Sequence, residues 1–160
     1  MASQQLYRVA EKALYNYHKH VATVKMYETK NILRGRGEDG TGGVKTSGKS
    51  DPTAQAGIAL AAPTQEENTA RRWVWAIETA WAELTAYAPE KAKLMEKYYG
   101  LIDMKDRPKK QQPFVREDLM IELNISYKTF YNWKNDCVDA VVHAAIQCGA
   151  LTPYKTKTPV

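Results

Sequence analysis

The residues from Gly43 to Ser50, Gly-Val-Lys-Thr-Ser-Gly-Lys-Ser, fit the spacing G-x-x-x-x-G-K-[ST], in which a glycine-rich loop cradles phosphate and its lysine reaches the outer phosphates. That chemistry works only where a strand delivers the loop and a helix receives it, so that backbone N–H groups converge on the anion. Here the preceding residues, Arg36-Gly-Glu-Asp-Gly-Thr-Gly42, cannot form a buried strand, and Asp51-Pro52 follows at once. No strand-rich stretch elsewhere supplies a parallel sheet or an acidic magnesium ligand at its edge. The match therefore reads as chance in a segment rich in Gly, Lys and Ser, and a P-loop nucleotide-binding protein is the least favoured alternative. Gly35-Arg-Gly37-Glu-Asp-Gly40 fits G-x-G-x-x-G and fails on the same requirement. His18 and His20 point to different faces of a helix, and His143 stands alone, so no metal site assembles. Glu117-Asp118 falls near a helix start, where the macrodipole favours acids. Nothing brings together a nucleophile, a base and an oxyanion site; the chain is read as a non-enzyme without cofactor or metal.

The stretch from Phe114 to Lys134 offers a different chemistry. Val115, Leu119, Leu123, Ile125, Phe130 and Trp133 fall at the offsets that let one helix brace another around a sharp turn. Asn124 stands where such a turn needs a residue tolerant of positive φ, and Asn is the usual substitute for Gly there. Ser126 follows as an N-cap. The helix it starts presents Tyr127, Lys128, Thr129, Tyr131, Asn132 and Lys134 on its first turns, with Phe130 and Trp133 on the opposite side. Lysine donates to guanine or phosphate, asparagine pairs bidentately with adenine, and tyrosine donates to phosphate or packs on a thymine methyl. Arg107, Lys109, Lys110 and Arg116 precede and open the first helix, where phosphate contact is geometrically natural. Together these residues predict a helix-turn-helix at about 114–134, with double-stranded DNA as partner. The plainer alternative is a helical hairpin with a solvated polar face.

The elements that must hold this surface are all helical in pattern. Leu6, Val9, Ala13, Tyr17, Val21 and Val24 recur at three- and four-residue steps without Gly or Pro before Gly35, which predicts one long amphipathic helix over 1–33. Residues 34–66 hold most of the glycines and no sustained period, and read as a flexible linker. A second helix is expected from Asn68 or Thr69, with Trp73, Ile77, Trp81 and Leu84 as its stripe. Pro89 then opens a third that runs to Gly100 with Leu94, Met95, Tyr98 and Tyr99 inward. Residues 103–113 are polar with two prolines and read as a loop. The last helix continues past Trp133 through Val138, Val141, Val142, Ala145 and Ile146, apolar enough to pack on the N-terminal helix or on a second subunit in a homodimer. The expected organisation is therefore all-α: an N-terminal helix, a linker, a helical module over 67–150 and a tail over 151–160.

Composition sets outer bounds. Hydrophobic residues make up 44% of the 160, enough for one helical domain or two small ones. Lys and Arg number 23 against 18 acidic residues, a net +5 that favours an acidic partner. Residues 1–36 alone carry seven basic against two acidic side chains. No apolar run could cross a bilayer and the first residues lack a signal-peptide core, which predicts a cytoplasmic protein with no membrane partner. Cys137 and Cys148 lie about 16 Å apart along a helix axis, too far for a disulfide.

The residues Ala88-Pro-Glu-Lys, Leu94-Met-Glu-Lys-Tyr-Tyr and Val115-Arg-Glu-Asp-Leu-Met-Ile-Glu-Leu-Asn-Ile-Ser126 resemble region 4 of sigma-70-type factors. The whole layout looks like the ArpU/RinA group of phage late transcriptional regulators, including the Ser50-Asp51-Pro52-Thr53 in the glycine-rich stretch. The resemblance implies a sigma-like C-terminal module, sequence-specific DNA binding, activation of phage or prophage late genes in the cytoplasm of a bacterial host, and contact with RNA polymerase as an open question. Two features depart from the sigma pattern: the polar loop at 103–113 is longer, and the last helix runs on. The alternative in another class is a DNA-packaging component resembling a small terminase subunit.

Overall fold

The computed structural model describes residues 4–36, 63–102 and 116–152. The phosphate-loop-like motif, Arg107, Lys109, Lys110, Phe114 and Val115, and most of the expected linker and tail lie outside these residues. Within them the chain is all-α: α1 (Gln4–Tyr15), α2 (Tyr17–Arg36), α3 (Gln65–Tyr87), α4 (Pro89–Tyr99), α5 (Arg116–Glu122) and α6 (Tyr127–Gln147). No described helix is long and apolar enough to cross a membrane.

The N-terminal stretch expected as one helix is two, separated at Asn16. The hydrogen-bond ladder is perturbed rather than abolished: the Asn16 amide donates to Lys12 O (3.2 Å) and Ala13 O (3.1 Å), while its side chain donates to Lys12 O at 2.8 Å. The break falls where the packing partner changes, because α1 lies on α6 whereas α2 lies on α3. It also moves the buried stripe. Ala10, Ala13, Leu14 and Tyr17 are buried, whereas Val9 is 42% exposed. Beyond the break, α2 runs to Arg36, past the residue 33 at which the sequence pattern ends.

Helix α3 starts at Gln65, upstream of the expected Asn68 or Thr69, for a local reason. Thr64 caps it, its Oγ1 accepting the Glu67 amide at 3.2 Å, and Glu67 occupies the third position of a capping-box sequence. Glu67 is buried, and its carboxylate is held by Arg71 at 2.8 Å, so the charge is not left alone in the core. Pro89 stands at the first position of α4, and Gly100 (φ 68°) ends that helix in the left-handed region, with Leu101 N reaching back to Glu96 O.

Helices α3 and α6 form the centre and bury faces against each other, with α2 on α3, α1 on α6 and α4 against both. Leu14, Ile77, Leu94, Met95, Leu119, Phe130, Val138 and Val141 are fully buried, and with Tyr17 of α2 the core draws on all six described helices. The apolar extension of α6 is thus covered inside this chain, by α1 among others. Of the tryptophans, Trp73 is buried, Trp81 and Trp133 are half-buried against the core, and Trp75 is 47% exposed. Two residues along a helix is a rotation of about 200°, which carries Trp75 away from the face that Trp73 buries. The Trp81 indole N–H donates to Glu96 Oε1 at 2.8 Å, fastening α3 to α4.

Candidate nucleic-acid interface

The candidate surface is the α5–α6 junction, and its local chemistry sets its shape. Asn124 has φ 50°, the sole positive φ at a non-glycine among the described residues. With it, Ile125 N donates to Met120 O (3.0 Å) and Asn124 N to Ile121 O (3.1 Å). This pair of bonds satisfies the last carbonyls of α5 and closes it in a Schellman turn, with Ile125 packing back toward the core beside Met120. Ser126 then caps α6, its Oγ accepting the Thr129 amide at 3.2 Å. Below the turn, fully buried Leu119 and Phe130 key the two helices into the core, and Tyr98 meets Phe130 edge-on at 5.3 Å between centroids.

The sequence-expected residues divide into three groups. Tyr127, Lys128 and Asn132 are exposed on the first two turns of α6, and Thr129 is half-buried at the cap. Arg116, Tyr127 and Tyr131 form a linked cluster. The guanidinium donates to the Tyr131 oxygen at 2.9 Å and stands over the Tyr127 ring at 5.1 Å, and the Tyr127 hydroxyl donates to the Tyr131 oxygen at 3.3 Å. Arg116 also pairs with Glu117. The bonds from Tyr127 and from Arg116 hold the Tyr131 hydroxyl below the ordinary phenol range, while its role as donor raises Tyr127. With its oxygen already accepting twice, Tyr131 keeps its own proton free, on an acidified hydroxyl, for an acceptor such as a phosphate oxygen.

Lys134 forms the third group and departs from the expectation. Its ammonium is paired with Glu11 of α1 at 2.6 Å, lies 5.9 Å from the ring centroids of both Tyr98 and Tyr131, and its side chain is only 15% exposed. Seven residues after Tyr127 it returns to nearly the same side of the helix, rotated by about 20°, and it is covered there because α1 packs on α6 and supplies the countercharge. Tyr7 of α1 adds a 2.7 Å hydrogen bond to Asn135 Oδ1. These α1 contacts behind α6 were not legible in the sequence, because an ion pair between residues 11 and 134 leaves no local signal.

Acidic residues bound the surface. Asp136 and Asp139 follow on the outer side of α6, Asp136 paired with Lys91 at 2.7 Å, and α5 exposes Glu117 and Asp118. Between 116 and 134 three basic side chains face three acidic ones, so the junction itself is electrically balanced. Its chemistry is a compact array of hydrogen-bond donors with a rigid apolar base, confined to the first two turns of α6. Among the described residues no group of three His, Cys, Asp or Glu stands close enough to hold a metal ion. Both cysteines are free, and burial pushes the Cys137 thiol up to about 12. No family model, curated protein or solved structure matches this chain.

Proposed function

We propose that the chain is a sequence-specific DNA-binding protein that reads the major groove with the first two turns of α6, and that it acts as a transcriptional regulator of the phage late-gene type. The observation carrying this reading is the α5–α6 junction. A brace helix, a left-handed Asn124, a Ser126 cap and a second helix present Tyr127, Lys128 and Asn132 outward over a core anchored by Leu119 and Phe130. Helix-turn-helix proteins contact bases with that part of the second helix, and the acids at 136 and 139 would repel phosphates farther along. Asn132 suits adenine and Lys128 suits guanine, while Arg116 and Tyr131 suit the flanking phosphate. The phage assignment rests on the resemblance described above, and contact with RNA polymerase belongs to the same proposal.

Selection from a random DNA pool at fixed salt should enrich one motif. Replacing Lys128 or Asn132 by Ala should then cost about 1 to 3 kcal/mol each on that motif and relax selectivity, with unchanged helical circular dichroism. Lys134→Ala should leave selectivity intact, because Glu11 already occupies that ammonium. Unchanged binding by both the Lys128 and the Asn132 variants would remove α6 as the reading element.

A further inference from the structure

Between α1–α2 and the first turns of α3 opens a cavity of about 710 Å3, within the size range of small-molecule sites. Lys12, Lys19 and His20 line it from the N-terminal helices, and Gln65, Glu66 and Thr69 from α3. A smaller recess of about 170 Å3 shares Lys12 and His20 with it and adds Val9, Ala13 and Trp73. The His20 ring stacks on Trp73, 6.5 Å between centroids at 22°. The cleft thus has an apolar, aromatic wall and a cationic mouth. Among the described residues neither Lys12 nor Lys19 has a carboxylate within ion-pair distance. Glu66, the one acid in the lining, accepts the Tyr27 hydroxyl at 3.4 Å. Burial, and then Lys19, hold His20 below its ordinary range, so its ring is neutral at pH 7 and adds no charge of its own. Two ammonium groups against one carboxylate leave the lining net positive beside a low-polarity wall, which attracts negative charge and disfavours a cation.

We propose that this cleft binds a small organic anion, with a flat aromatic body against Trp73, His20 and Val9 and a carboxylate held by Lys12 and Lys19. The assignment does not depend on the DNA-binding reading, since no residue of the α5–α6 junction lines the cleft.

The test uses the full chain and indole-3-acetate as probe, followed by amide chemical shifts and titration calorimetry, with indole and acetate as half-probes. Indole-3-acetate should produce saturable shifts centred on residues 9–23 and 65–73, and each half-probe should bind at least about tenfold more weakly. The exposed positions make Lys12→Gln/Lys19→Gln a variant that keeps the fold, and it should lose at least about tenfold in affinity for indole-3-acetate while retaining that for indole. Thr69→Trp, which fills the mouth, should abolish binding with unchanged circular dichroism. Absence of saturable shifts at those residues, or equal affinity in the double lysine variant, would overturn the proposal.

Discussion

Two of the helix junctions among the described residues, α1–α2 and α5–α6, are built on opposite principles. Between α5 and α6 four residues redirect the chain through local chemistry: Asn124 takes the left-handed conformation, the Ile125 amide returns to Met120, and Ser126 caps the next helix. Between α1 and α2 a single residue intervenes without a positive φ, its side chain donating to the Lys12 carbonyl, and the break marks the place where the chain stops packing on α6 and starts packing on α3. One junction is written in a left-handed turn and a cap, the other in a single side-chain bond at a change of packing partner. A surface that must hold donors at fixed positions gains from the first kind, because the geometry persists when distant contacts loosen.

Four measurements test that contrast. Phe130→Ala should have the largest effect, about 3 to 5 kcal/mol of stability in denaturant titrations, since it empties a fully buried site beneath the α5–α6 turn. Asn124→Val should cost about 1 to 2 kcal/mol by placing a β-branched residue at φ 50°, while Asn124→Gly should be nearly neutral; equal costs would show that the backbone there is not the determinant. Alkaline pH should act on the other junction, alongside groups such as Cys137 that are also raised. Burial raises the Tyr7 and Tyr17 hydroxyls to about 12, and these bind Asn135 and Glu78 on either side of the Asn16 break. A raised folded-state value means that stability is fully present below pH 10 and is lost as the pH climbs from 10 towards 12. Tyr7→Phe and Tyr17→Phe should flatten that loss, read from pH-dependent unfolding; if neither does, other groups govern that window. Asn16→Ala should change stability least, by under about 0.5 kcal/mol, and a loss comparable to Asn124→Val would erase the distinction between the junctions.

The same distinction explains what the sequence revealed. Asn124, Ser126, Pro89 and Gly100 act through backbone preferences or bonds spanning a few residues, so their positions alone indicate turns, caps and stops. The α3 start was equally local in Thr64 and Glu67, yet the apolar stripe, which begins later, masked it. The change of packing partner at Asn16 and the covering of Lys134 by Glu11 of α1 depend on partners many residues away, and periodicity carries no record of them. Of the candidate interface, the outward residues Tyr127, Lys128 and Asn132 were legible, and the tyrosine–arginine cluster that orients Tyr131 was not.

Ala10, Ala13, Leu14 and Tyr17 are sealed into the same core as Phe130 and Val141, although residues 37–62 separate their helices from α3 in the chain. In this respect the core is an assembly of two segments of the sequence. Supplied as separate polypeptides, residues 1–36 and 63–160 should reassemble through the faces buried there, and the α1 contacts to Asn135 and Lys134 would then report on the state of α6 in the manner of a split sensor.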